Sequence, residues 1–330
     1  MPALMAQLIA DNIVWWALCA APVFGVQAGL LLCRPAGWLT RKHIGVALLG
    51  AGIFLVLGFQ IMFGAGTNGF IGFGLPGRLD PTMGLFVLFQ LSLCAILITI
   101  LTQIISQQPK LRAYSITIIL TTGLIYPLIG HWVWGNRIIP DNPAFLADVG
   151  FIDGAGSALI HVVAASLGLA FLAAGGIGKI PLAKIPRAKN RRVLLLGAAL
   201  VSLGWLGFYG PLLGLEADRF GEFSIKTLLA VAGGASVGLV YGLLRNQLFN
   251  ARLIINGLIA GLISLCAGIG VIGFAGSFLI AIMSAGAVLG TAHLIAQKVQ
   301  HGAFDVLCVH GIAGAIGTIL VAGFCDPTVL

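Results

Sequence analysis

The sequence predicts an all-α polytopic membrane protein, with ten transmembrane helices arranged as two inverted five-helix repeats. Three observations carry that expectation. Hydrophobic residues make up 59% of the 330 and charged residues only 8%, against about 25% charged in soluble domains. Apolar stretches of about 20 residues, the length a helix needs to cross hydrocarbon, recur along the chain. The basic residues gather in alternate connections between those stretches. Glycine contributes 47 residues, about double its average usage, and small residues let membrane helices approach closely. The alternating ten-residue segments of a membrane β-barrel are absent, which leaves helices as the spanning form.

The expected spans lie at about 12–33, 43–64, 83–106, 112–134, 153–175, 193–214, 225–244, 253–270, 273–296 and 306–324. Fourteen of the eighteen Lys and Arg residues fall after spans 1, 3, 5, 7 and 9, at Arg34, Arg41, Lys42, Lys110, Arg112, Lys179, Lys184, Arg187, Lys189, Arg191, Arg192, Arg245, Arg252 and Lys298. The remaining Arg78, Arg137, Arg219 and Lys226 share the other loops with most of the acids. Cytoplasmic loops carry the excess of Lys and Arg, so both termini are expected outside a plasma (inner) membrane. The same distribution explains the net charge of +8 without nucleic acid as a partner. Met1 to Asp11 holds no Lys or Arg, so the first stretch reads as a mature span rather than a cleaved signal. The six cysteines lie in or at the ends of apolar segments without metal-type spacing and read as small buried residues.

An odd number of spans per half inverts one half relative to the other, as in many transporters. The division expected is a first repeat at 1–178, a cytoplasmic connection at 179–192 and a second repeat at 193–330. The loop from Asn136 to Val149 reads as irregular and outward-facing.

Two residues stand out against this apolar background. His161 and His310 each sit inside a membrane-length segment, in the fifth and tenth spans, and each follows an acid, Asp153 and Asp305. An ionisable side chain inside a spanning helix is costly and marks a pathway or relay by default. The alternative is a pair of helix–helix hydrogen bonds, worth roughly 0.6–2 kcal/mol in membranes. Asp153 is eight residues before His161, which helical rise converts to about 12 Å of depth. An intramembrane zinc enzyme would need further His, Cys or carboxylate ligands beside the pair, so an enzyme is not the expectation, and no cofactor is. Trp134 suits an interfacial aromatic belt by its depth. Phe89 and Phe208 are as readily packing residues as anything else.

Several segments resemble the ammonium transporter family, the Amt/Mep/Rh superfamily. Leu124-Ile-Tyr-Pro-Leu-Ile-Gly-His-Trp-Val-Trp-Gly135 resembles the family's fourth-span ending, and Asp153-Gly-Ala-Gly-Ser-Ala-Leu-Ile-His161 is similar to its D-F-A-G-G-x-x-V-H motif. Gly204-Trp-Leu-Gly-Phe208 resembles G-W-F-G-F, and Asp305-Val-Leu-Cys-Val-His-Gly311 resembles D-x-x-G-V-H-G. Gln27-Ala-Gly29 with Arg41-Lys42 fits the first-span ending. The resemblance implies the ammonium transporter fold, a homotrimer in the lipid bilayer, and passage of ammonium or ammonia. It implies that His161 and His310 are the twin pore histidines, that Trp134, with Phe89 beside it, forms the outer cation site, and that Phe208 is a gate phenylalanine. Asp153 and Asp305 would be the supporting acids of the two sides. The chain departs from the pattern at Leu93, where the second gate phenylalanine would stand, and at Leu212, where the recruiting serine would stand. Those losses leave an ammonium-binding receptor with little flux as the alternative. The family's eleventh span and tail have no counterpart before Leu330.

Overall fold

The computed structural model describes residues 19–33, 41–74, 81–105, 111–139, 141–175, 190–209, 219–247, 249–296 and 303–326. Among them the helices run α1 (Cys19–Leu32), α2 (Arg41–Phe63), α3 (Pro81–Ile105), α4 (Leu111–Trp134), α5 (Ser157–Ala174), α6 (Arg191–Tyr209), α7 (Phe220–Leu244), α8 (Ala251–Leu265), α9 (Phe274–Ala296) and α10 (Phe304–Phe324). Eight are long and apolar enough to cross a membrane, whereas α1 and α8 are shorter. Large apolar side chains such as Val56, Leu203, Leu228, Leu244 and Ile319 are exposed on the outside of the bundle. That distribution is stable only against an apolar medium. Residues 179–189 of the connection at 179–192 lie outside the described residues, and the Asn190 side chain caps the start of α6 through the Arg192 amide at 3.0 Å.

Three boundaries differ from the sequence expectation, each for a local reason. The fifth helix does not begin at Asp153. Residues 153–156 form a non-helical stretch, with Gly156 at φ +89° turning the chain into the helix at Ser157. His161 is therefore four residues into its helix rather than eight, and the depth expected from helical rise does not apply. The seventh helix begins at Phe220, earlier than expected, and carries Lys226 inside it, only 3% exposed. Its ammonium is neutralised by Glu222 one turn back and donates to the Ile269 carbonyl at 3.0 Å. The eighth helix stops at Leu265 instead of continuing to 270.

The irregular backbone after α8 meets the irregular backbone before α5, and the two satisfy each other. The amides of Gly154 and Ala155 donate to the carbonyls of Ala267 and Cys266, both at 2.8 Å. Ser157 Oγ donates to the Ile263 carbonyl at 2.7 Å and accepts from the Ala267 amide at 2.8 Å. Arg219 reaches the Gly270 carbonyl at 2.8 Å. Non-helical backbone is tolerated at such depth only when protein encloses it and pairs its polar groups. Helices α7 and α8 approach so closely that a Cβ on Gly257 would collide with the Gly234 carbonyl, and one on Gly261 with the Ala230 carbonyl.

The connection after α4 is tied down rather than loose. Asn142 donates to the Gly64 and Gly135 carbonyls at 3.0 and 2.9 Å and accepts from the Gly66 amide at 2.7 Å. A two-stranded hairpin, β1 (Ala65–Gly66) and β2 (Gly72–Phe73), lies beside it. Phe145 stacks on Phe70 with ring centres 4.8 Å apart.

Candidate functional site

The site is assembled from the start of α5 and the start of α10. Both histidines lie in single turns of π-helix, Ser157–Val162 in α5 and Cys308–Ile312 in α10. A π-turn inserts an extra residue and rotates the following side chains, a device common at functional positions. Asp153 holds the first of these turns in place. Its carboxylate accepts from the amides of Gly156, Ala158 and Leu159 at 3.0, 3.0 and 2.8 Å, taking up donors that a helix start leaves free. Gly314 on α10 lets the two elements meet, since a Cβ there would lie 2.9 Å from Val162 and 3.3 Å from the His161 side chain.

The result is a close imidazole pair. His161 Nδ1 and His310 Nδ1 are 3.1 Å apart, with ring centres 5.2 Å apart and ring planes inclined by 19°. Two like nitrogens at that distance share one hydrogen, so one ring donates and the other accepts. Both rings are buried, at 0% and 1% exposure. His161 also stacks on Trp205 (5.9 Å, 9°), and Trp205 stacks on Phe208 (5.2 Å, 15°). His310, His161, Trp205 and Phe208 thus form one continuous column of rings. Along it, His161 Nε2 is buried without a hydrogen-bond partner. Buried polar atoms are rarely left so.

A second cluster surrounds Trp134, at the end of α4. The indole is fully buried and donates from Nε1 to the Asp153 carbonyl at 2.7 Å. Arg137 lies over its ring, with the guanidinium carbon 4.4 Å from the ring centre. Arg137 Nη2 donates to the Gly154 carbonyl at 2.8 Å and reaches the Asp153 carbonyl at 3.5 Å, while Nη1 is buried without a partner. Burial pushes the Arg137 guanidinium down to about 10, opposed by the Asp153 carboxylate and the Tyr126 hydroxyl, so it stays charged at neutral pH.

Of the residues singled out in the sequence, His161 and His310 come into direct contact, Phe208 joins them through Trp205, and Trp134 joins Asp153 through a hydrogen bond. Phe89 is fully buried on α3 one turn from the equally buried Leu93. Asp305 is half-buried in the first turn of α10. Leu212 lies outside the described residues. Sequence reasoning did not single out Trp205 or Arg137. Each stands three residues from a residue that it did, Phe208 and Trp134, and that spacing places both on a shared helical face or turn. Among the described residues, no three His, Cys, Asp or Glu side chains cluster as metal ligands.

Comparison with known proteins adds the following. Residues 14–330 match the sequence profile described as the Ammonium Transporter Family. A Synechocystis protein named as a candidate ammonium transporter is 32% identical over 336 residues, 94% of this chain and 61% of the relative. The chain therefore spans less than two thirds of that relative's length. Ammonium transporter Amt2 of Archaeoglobus fulgidus is 28% identical over 339 residues, 96% of this chain and 72% of the relative. A solved structure described as "Sensor Amt Protein" superposes with a TM-score of 0.88 at 24% identity, covering 99% of this chain and 85% of that one.

Proposed function

Because the chain belongs to the ammonium transporter family and is a multi-pass membrane protein with that fold, we propose that it carries ammonium or ammonia across a membrane past His161 and His310. The observation that supports this most directly is the buried Nδ1–Nδ1 contact at 3.1 Å. Ammonium cannot enter hydrocarbon as a bare ion, because desolvating a small cation in a low dielectric costs on the order of tens of kcal/mol. A route must attract the cation, remove its proton and carry the neutral molecule. Trp134, with the Asp153 carbonyl fixing its indole, and Phe89 of α3 form the attracting surface on the outer side, and Phe208 covers the way to the histidines. Two neutral imidazoles with one hydrogen between them have one N–H and one lone pair left on their Nε2 atoms. That combination both accepts from and donates to ammonia without a charge. Asp305 supports the far end of the path through the first turn of α10.

In this reading the two halves, 1–178 and 193–330, are inverted repeats whose π-turns present equivalent histidines. The basic connections face the cytoplasm of a plasma (inner) membrane, and the first and last helices begin and end outside. The assembly is a homotrimer, and the protein is not an enzyme. A receptor that binds ammonium with little flux is the second reading, favoured by leucine at positions 93 and 212 and by the description of the similar solved structure as a sensor.

Purified protein in liposomes, given an ammonium jump on a solid-supported membrane, tests both readings. The transporter gives an ammonium-dependent current or internal alkalinisation. His161→Ala and His310→Ala each reduce or reroute that signal by about tenfold or more, the equivalent of one lost polar contact of about 1.4 kcal/mol. Saturable binding with no flux in the wild type would establish the receptor instead.

A further inference from the structure

Resting on the reading of Trp134 as an ammonium-attracting surface, we propose that Arg137 is a built-in competitor for the cation that Trp134 recruits, and so sets the affinity of that site. Four observations lead to it. The guanidinium carbon of Arg137 lies 4.4 Å from the centre of the Trp134 ring, the position a cation takes on an indole face. The ring is 0% exposed, so on that side an incoming ion meets the guanidinium rather than the indole. The Asp153 carbonyl that orients the indole at 2.7 Å also lies within reach of Arg137 Nη2 at 3.5 Å, so ring and competitor share one anchor. Finally, Arg137 Nη1 is buried with no acceptor.

The last point separates a competitor from a clamp. An arginine that serves only to tie a loop uses its fork of donors in full, because a buried donor left unpaired is costly. Arg137 has one short hydrogen bond, to the Gly154 carbonyl at 2.8 Å, and a longer one to the Asp153 carbonyl at 3.5 Å, and the rest of its guanidinium lies on the aromatic face. Nη1 has no acceptor to lose, so the aromatic face is the part of this seat that a second cation contests. An ammonium ion on this indole must displace the guanidinium or sit within a few ångströms of a like charge. Either route weakens binding by roughly tenfold or more at the effective dielectric of a partly buried site. The consequence is a chain that answers to high ammonium and ignores low ammonium, set by a single side chain three residues beyond the tryptophan.

Ammonium titrations of the full chain in detergent, followed by intrinsic tryptophan fluorescence at fixed ionic strength, test the proposal. Arg137→Gln and Arg137→Met both lower the half-saturating ammonium concentration by about tenfold or more. Arg137→Lys, which keeps the charge, stays near wild type. Adding Trp134→Leu to Arg137→Gln removes the gain. Methylguanidinium in solution competes with ammonium in Arg137→Gln far better than in wild type, an effect no purely structural role produces. Neutral variants that elute and melt like wild type yet bind ammonium no more tightly would overturn the proposal, as would unfolding of both, which would make Arg137 a structural clamp. Flux is read separately: tighter binding in Arg137→Gln without transport by any variant sinks the transporter reading and leaves the competitor standing.

Discussion

At the scale of single residues, the sequence exposed the groups that membrane physics makes anomalous and hid those it makes ordinary. His161 and His310 were legible because an ionisable ring in an apolar span has few reasons to be there. Trp205 was not, because an aromatic residue in an apolar helix is unremarkable until its neighbours are known, and here they are His161 on one face and Phe208 on the other. Arg137 read as an ordinary loop charge. Asp153 was legible as the acid that precedes His161, and it accepts from three amides at the start of α5 at once. Asp153→Ala would strand those donors and should destabilise the protein by at least about 2 kcal/mol. Asp153→Asn keeps one accepting oxygen and should cost less. Thermal melting in detergent checks both, and an alanine variant as stable as wild type would show that other groups take over the amides.

At the scale of elements, the apolar stretches located the helices well and their ends poorly. The ends follow from contacts distant in sequence. Residues 153–156 stay out of the helix because the Gly154 and Ala155 amides are claimed by carbonyls beyond α8 and the Gly156 amide by the Asp153 carboxylate, and α8 stops at Leu265 where those carbonyls are used. The start of α7 runs past an acid and a lysine because Glu222, Lys226 and the Ile269 carbonyl neutralise one another. Hydropathy, which scores each charge alone, cannot register that cancellation. The glycines were read as ordinary packing residues, and at Gly261 the packing is backbone against backbone. Gly261→Leu should therefore cost about 3 kcal/mol or more, because neither helix has a side chain that can move aside. Gly261→Ala should lie between. Loss of monodisperse protein, or a steep fall in melting temperature graded from alanine to leucine, is the expected measurement.

At the scale of the whole molecule, the fold class was legible because it rests on sums over many residues: the apolar fraction, the recurrence of long stretches and the alternation of basic connections. Orientation is the part most open to direct test. In a background with Cys33 and Cys325 changed to serine, a cysteine at Asp141 should react with an impermeant thiol reagent on intact cells. One at Asn250 should react only after permeabilisation, and the reverse pattern would reject the inside–outside assignment. The reciprocal pairing of the stretches before α5 and after α8 also bears on how such a chain is made. Ser157 and Ala267 are 110 positions apart. When the ribosome has delivered the fifth helix to the bilayer, the acceptors for its opening amides do not yet exist. The early part of the polypeptide must wait, partly unsatisfied, until the segment after α8 has been made, so maturation includes a docking between segments synthesised many seconds apart.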